Sequence, residues 1–242
     1  MRFRIKPSYE KEIAKIISAT GSNEKSLTKI LDIGSGKGGM AKILFDDGFD
    51  VCATDLFPEN FTYPEIRCEK IDVNNPLPFP DNSFDIITAC ELYEHLENHM
   101  AFVRECRRIL KPYGRVIIST PNILNLKSRL SFLFTGFHTG LGPITELDFN
   151  PIEFHISSEP LYQIITIFNI NGFSWEKTSA SNWKESCIIW LWLYPLIWFF
   201  SKQKLSNHEN PKQTIANVRI RKTLLSPDLL FGRSLIVQFQ KK

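Results

Sequence analysis

Over the first two thirds of the chain, short unbroken apolar runs alternate with stretches whose apolar positions recur at helical spacing. Unbroken runs suit strands buried on both faces, and this alternation marks a parallel sheet wrapped by helices. Strands are predicted over residues 29–33, 49–54, 66–71, 84–90, 115–120 and 173–178, with a last one over 234–239. Helices are predicted over 40–45 and over 97–110, where Met100, Val103, Cys106 and Leu110 share a face. Lys111-Pro112-Tyr113-Gly114 reads as the stop of that helix. A further helix is predicted from Ser158, taken as its N-cap with Pro160 in the first turn, to a close at Gly172. Two stretches fit neither pattern. The chain is therefore read as a single domain, 1–242, with a substrate-side insertion at 123–157 and an aromatic and basic insertion at 180–232.

Composition narrows the class. The 242 residues carry 29 bases and 26 acids, a net charge of +3 that makes no case for nucleic acid. A charged fraction of 23% is that of an ordinary folded domain. Cys52, Cys68, Cys90, Cys106 and Cys187 form no close pair, which argues against a zinc cluster or a disulfide framework and suits a reducing cytosol. Met1 to Pro7 hold no apolar run, so no secretory leader is expected.

Candidate chemistry begins at Asp32-Ile33-Gly34-Ser35-Gly36-Lys37-Gly38-Gly39, where the first strand turns into the first helix. Glycines there let backbone approach a ligand, and a helix start offers free N–H groups. Gly34, Gly36 and Gly39 fit a dinucleotide fingerprint, while Asp32, Gly34, Gly36 and Gly38 fit D-x-G-x-G-x-G. Asp55, ending the second strand, serves both by holding ribose hydroxyls. Asp32 separates them. A carboxylate repels a pyrophosphate but attracts the ammonium and sulfonium of S-adenosylmethionine. Asp72, at the end of the third strand, can accept an adenine amino group, with Val73 against the ring.

The stretches ILDIGSGKGG, VCATDL, IDVNNPLPFPDNSFDIITACELYEHLEN and RECRRILKPYGRVIISTPN together resemble the class I S-adenosylmethionine-dependent methyltransferases. The resemblance is strong over roughly residues 27–122 and thins to HISSEPLYQIITIFNINGF and FGRSLIVQF. It implies an α/β, Rossmann-like, seven-stranded and mostly parallel sheet. The last strand would be antiparallel, with helices on both faces and insertions over the carboxyl end. It implies S-adenosylmethionine as cofactor, with Asp32, Gly34 and Gly36 facing its methionine part and Gly38 and Glu91 among its contacts. Asp55, with Leu56 beside it, would face the ribose, and Asp72 with Val73 the adenine. Lys37 departs from the family's small or apolar residue, and its side chain is expected in solvent.

Methyl transfer requires a nucleophile held at attack distance and, for a hydroxyl, a base to remove its proton. Glu91-Leu92-Tyr93-Glu94-His95 follows the fourth strand, where the family places groups facing the substrate. His95 is the expected base, and His155 is expected to fold back over the pocket. Glu91, Glu94, His95 and His155 also resemble the metal site of the RNA 3′-end 2′-O-methyltransferases. The same spacing occurs in relatives without a metal, and a metal-free site is the expectation taken here. His99, His138 and His208 are expected at the surface.

Residues 187–200 run without a charge and include Trp190, Trp192 and Trp198, with Trp183 just before. A spanning helix needs ~20 apolar residues, and Pro195 interrupts this run. Residues 202–222 then carry six bases and one acid, so the rest of the chain, with 23 bases and 25 acids, is slightly acidic. Aromatics beside bases suit contact with an anionic membrane surface through Cys187 to Phe200. A buried helix pair or a dimer contact is the competing reading, and the oligomeric state stays open. The acceptor expected is a small-molecule or lipid-linked hydroxyl, a glycan or a prenylated phenol, met in the cytoplasm or at the inner face of the membrane. No nucleic-acid partner is expected. The alternatives are a metal-assisted RNA 2′-O-methyltransferase and a non-catalytic cofactor-binding module at the membrane; a nicotinamide dehydrogenase rests on the glycine fingerprint alone.

Overall fold

The computed structural model describes residues 8–19, 25–139, 155–206 and 208–242. Residues 1–7, and the part of the 123–157 insertion from 140 to 154, lie outside them. Seven strands form one sheet: β1 (Lys29–Ile33), β2 (Asp50–Asp55), β3 (Cys68–Lys70), β4 (Phe84–Cys90), β5 (Leu110–Pro121), β6 (Phe173–Trp183) and β7 (Gly232–Lys241). Their order is β3-β2-β1-β4-β5-β7-β6, and β7 runs antiparallel to both neighbours while the other pairings are parallel. The helices are α1 (Tyr9–Ser18), α2 (Gly39–Asp46), α3 (His99–Ile109), α4 (Leu126–Thr135), α5 (Leu161–Ile170), α6 (Tyr194–Lys204), α7 (Pro211–Leu224) and α8 (Pro227–Phe231).

Strand periodicity sorts the core into two layers. Ile30, Ile86, Ile117 and Ile236 face one side, where Ile13, Ala14 and Ile17 of α1 and Met40 and Leu44 of α2 cover them. Their neighbours Leu31, Ile87, Val116, Ile118, Leu235 and Val237 face the other, under α3 and α5. The densest point of that second layer is Phe168, stacked on Phe239 at 3.9 Å and edge-on to Phe173 at 5.3 Å.

Two predicted boundaries move. β5 starts at Leu110, so the stop sequence of α3 is itself the opening of the strand. Tyr113 there has φ +63°, and the β4–β5 register slips between Phe84 and Ile86, which lets helix pass into strand without a loop. α5 starts at Leu161, with Pro160 rather than Ser158 at the cap position. A residue before proline is pushed to extended geometry, and the preceding segment is pinned elsewhere: Ser157 N–H donates to the Glu94 carbonyl, and Glu159 pairs with His99.

Phe168 is fully buried between β7 and the 310 turn that carries Tyr93. Phe168→Ala is expected to cost about 3–5 kcal/mol, read as a lowered urea midpoint at an unchanged slope.

Candidate active site

β1, β2 and β4 are parallel, so the segments that leave them gather along one edge of the sheet. In the β1–α2 turn, Gly36 has φ +53° and Gly38 φ +91°. A Cβ on Gly36 would meet nothing within 4 Å, so only the backbone conformation demands glycine and the space above stays open. A Cβ on Gly38 would come 2.7 Å from the rings of Phe61 and Tyr63, so this glycine admits the loop after β2. Lys37 is exposed, as expected.

Asp55 ties the second strand to this turn: Oδ2 accepts from Gly36 N–H at 2.7 Å and Oδ1 from Phe57 N–H at 2.9 Å. Lone pairs remain on both oxygens for a diol. Leu56, next in the chain, is exposed. Asp72 accepts from Asn74 N–H and from the Asn75 amide, which sets the loop after β3, while Val73 packs half-buried against the core.

Asp32 is 1% exposed. Thr88 on β4 donates to its Oδ1 at 2.6 Å, but its Oδ2 is buried without a partner. Burial pushes its pKa up to about 6 against the Thr88 bond. A carboxylate lacking one donor beside an open glycine turn fits a cationic ligand group, as the ammonium of S-adenosylmethionine would be.

Glu91 follows β4 with φ +49°. Its carboxylate turns along the sheet edge, accepting from Ser119 of β5 at 2.8 Å and from Ser234 of β7 at 3.3 Å. Burial raises its pKa and the two serines oppose the rise.

Glu94 and His95 stand on the 310 turn Tyr93–His95. The Ser157 bond to the Glu94 carbonyl draws the segment containing His155 across this turn. His95 and His155 meet edge to face at 5.0 Å, and His155 Nε2 lies 4.0 Å from Glu94 Oε1. One ligand atom from each of Glu94, His95 and His155 falls within 4.8 Å of the others, a spacing that could hold a divalent ion on mixed nitrogen and oxygen donors. Glu91, the fourth residue of that motif, points instead to its two serines. Glu94 is 1% exposed, and neither of its oxygens meets a donor at good geometry, although the Thr120 side chain is close enough to oppose the effect of burial. Burial first, and the Glu91 carboxylate second, lift its pKa to about 8.

His99 corrects an expectation. It is buried, not at the surface: its ring stacks on Tyr93 at 4.1 Å, Nε2 lies 2.8 Å from the Tyr93 carbonyl, and Nδ1 is 3.1 Å from Glu159. It locks the turn that presents Glu94 and His95. His138 is half-buried and stacks on Phe132 at 4.4 Å, whereas His208 is exposed.

Several site residues escaped the sequence reading. Thr88, Ser119 and Ser234 lie in stretches that carry the resemblance but were given no role there, because only what they face across the sheet identifies them. Tyr9 and Glu10 open α1, for which no helix was predicted, although Ile13 and Ile17 lie at helical spacing. Burial, then Glu10, Cys90, Glu91 and Asp32, all hold the Tyr9 phenol neutral, which places it among the acids of the site. A Cβ on Gly39 would come 2.6 Å from Glu10 Oε1, so that glycine makes room for a carboxylate at the positive end of α2.

Because the folded state keeps the Glu94 proton that the unfolded chain releases near its ordinary value, stability falls as pH rises from about 4.5 to about 8. Glu94→Gln removes that dependence. The ligand-free variant is expected to melt above the wild type at pH 8, with the gap closing towards pH 5; a gap that does not vary with pH would contradict the buried, protonated Glu94.

The methyltransferase-domain family model matches residues 31–118, the span from β1 to β5. Among curated relatives, a ubiquinone biosynthesis O-methyltransferase of Rickettsia typhi is 29% identical over 155 residues, covering 61% of this chain and 62% of that protein. A 2-methyl-6-phytyl-1,4-hydroquinone methyltransferase of a Synechocystis species is 32% identical over 103 residues, covering 39% and 32%. The chain thus spans less than two thirds of the length of these relatives. Among solved structures, an S-adenosylmethionine-dependent methyltransferase from Archaeoglobus fulgidus shares the fold with a TM-score of 0.58 at 17% identity, covering 96% of this chain and 94% of that one. With the glycine turn, the acids at the strand ends and the antiparallel last strand in place, residues 31–118 carry a methyltransferase domain of the class I S-adenosylmethionine-dependent kind, whose cofactor is S-adenosylmethionine.

Proposed function

We propose that this protein methylates a hydroxyl oxygen of an amphipathic acceptor, a lipid-linked glycan or a prenylated phenol. The observation that carries the reading is the Glu94–His95–His155 cluster, set along the same sheet edge as the glycine turn and Asp32. When bound, S-adenosylmethionine supplies an activated methyl carbon. Asp32, Gly34 and Gly36 would hold its methionine part, Asp55 its ribose, and Asp72 with Val73 its adenine. His95 takes the acceptor proton, and His155 positions the hydroxyl. Glu94, buried with Oε1 4.0 Å from His155 Nε2, orients the imidazole pair, and its carboxyl is the polar group nearest the positive charge that His95 gains with the acceptor proton. The Rickettsia and Synechocystis relatives, named for quinone and phytyl-hydroquinone chemistry, support an acceptor with an apolar tail.

The insertions support the same acceptor class. Leu133 and Phe134 at the end of α4 are 71% and 79% exposed, and Trp192 and Phe200 in the second insertion are 64% and 61% exposed. Cys187 is buried with Leu126, Leu230 and Phe231, joining the two insertions into one unit whose outer face is aromatic. Pro195 opens α6 rather than breaking it. Among the described residues no helix is long and apolar enough to cross a membrane. We read this face as a contact with the surface of an anionic bilayer.

A second reading, in which a divalent ion on Glu94, His95 and His155 activates the acceptor hydroxyl, is favoured by the spacing of those donors. The test of both is transfer of radiolabelled methyl groups into fractionated lipid, glycan, RNA and protein. Label is expected in lipid or glycolipid, lost in Asp32→Ala and reduced about 100-fold or more in His95→Ala. A chelator that leaves turnover unchanged discards the metal, and label confined to RNA or protein discards the acceptor class. For the surface, Trp192→Ser with Phe200→Ser is expected to reduce flotation with phosphatidylglycerol vesicles about tenfold; equal flotation of variant and wild type would remove the membrane contact from the proposal.

A further inference from the structure

Away from the sheet edge that carries the acids, α6 and α7 form an arm that lies across α5 and the edge strand β6. α7 buries none of its residues fully, and a cleft of about 770 Å³ remains beneath the arm. The floor of the cleft is apolar, with Ile165 of α5, Trp175 of β6, Leu205 after α6 and Leu224 of α7. Lys204, Lys212, Arg219 and, at its rim, Lys242 with the terminal carboxylate of the sequence also line it, and no Asp or Glu side chain does. Among the described residues Lys204, Lys212 and Arg219 make no ion pair with an Asp or Glu carboxylate. The Arg219 guanidinium instead donates to the Glu176 carbonyl at 2.6 Å and lies 3.9 Å from the Trp175 ring centre.

An apolar floor under an excess of positive charge, four basic side chains against one terminal carboxylate, matches one kind of ligand, a hydrocarbon chain ending in an acidic head. The volume is that of an ordinary small-molecule site. Neither half of the cleft explains the other: a free anion has no use for the floor, and a neutral chain has none for the bases. The source is indicated by α6, whose first two turns expose Leu196, Trp198, Phe199 and Phe200, while its last turn supplies Ser201 and Lys204 to the cleft. One helix therefore joins the aromatic outer face to the cationic cleft.

We infer that the cleft between α5–β6 and the α6–α7 arm binds an anionic membrane lipid, the chain over Trp175 and Leu224 and the acidic head on Lys204, Lys212 and Arg219. This site is separate from the cofactor turn and from Glu94, and it does not depend on which acceptor is methylated. The lipid would hold the arm to the sheet and keep α6 fixed where its aromatics meet the bilayer.

Calorimetric titration of the full chain, without cofactor or acceptor, tests this with decyl phosphate below its micellar concentration as the probe. Saturable one-to-one binding is expected, weakened about tenfold or more by Lys204→Gln with Lys212→Gln, two exposed positions that leave the packing untouched. Lys202→Gln with Lys222→Gln, bases that do not line the cleft, should leave the affinity unchanged. Decyl maltoside and inorganic phosphate, each lacking one half of the ligand, are each expected to bind at least about tenfold more weakly. Equal binding of decyl maltoside, equal binding of inorganic phosphate, or an affinity indifferent to the Lys204 and Lys212 changes would each overturn the assignment. The titration contains no methyl donor, so its failure leaves the methyl-transfer reading standing, and the reverse holds as well.

Discussion

Three carboxylates, Asp32, Glu91 and Glu94, are sunk into one edge of the sheet, and the arrangement of the site follows from the cost of taking them out of water. The fold meets that cost unequally. Glu91 receives two serine hydroxyls from neighbouring strands, Asp32 is held chiefly by the Thr88 hydroxyl with one oxygen left over, and the Thr120 side chain only weakly offsets the burial of Glu94. The pKa values of the last two rise in the order expected, to about 6 and about 8. The best-satisfied acid is the one that braces the sheet edge, and of the two less well satisfied one lies beside the open glycine turn and the other beside a pair of imidazoles. Leaving donors out is how a rigid framework can prefer positive charge without exposing itself to solvent.

The antiparallel strand matters to this arrangement. β7 returns from the insertions and begins at the edge where β5 ends, which is how Ser234 comes to face Glu91 opposite Ser119. A parallel seventh strand would bring its carboxyl end to that edge after a helix, with no early residue available there. The positive φ at Glu91 is part of the same solution, since it turns the side chain back along the sheet while the backbone leaves for Glu94. One residue of left-handed backbone thus separates a carboxylate bonded to the sheet from one buried beside an imidazole three positions later.

How much of this could be read from letters follows the same physics. β1 and β4 fall where the apolar runs predict, because a strand buried on both faces writes its limits into sequence as a solid hydrophobic block. The glycine turn and Asp55 were legible because left-handed backbone and an acid that ties a strand end to the neighbouring turn each admit few residue types. Asp32 stands beside the glycine turn, and charge alone is what made it a candidate to meet a cationic ligand. The fate of Glu91 and His99 was illegible, since nothing in E-x-x-E-H says which carboxylate bends towards Ser234, 143 residues away, and nothing near His99 announces Glu159. α1 was missed for a related reason. Its helical face is short and its first turn acquires meaning only when Tyr9 and Glu10 reach the glycine turn through tertiary contact.

The two insertions obey a different constraint from the sheet. Their joint is small, a cluster around Cys187, Leu126, Leu230 and Phe231, and beyond it the side chains of α6 and α7 bury little. A helix fixed by so few internal contacts does not owe its composition to the core; an unexplained tryptophan or phenylalanine there would be a liability if it faced only water. The bases are concentrated in this same segment, while the rest of the chain is slightly acidic. Segregation of that kind follows if the sheet answers to a cationic cofactor and the arm to an anionic, apolar surface. The modest overall charge is then the sum of two surfaces of opposite character, each suited to what it meets.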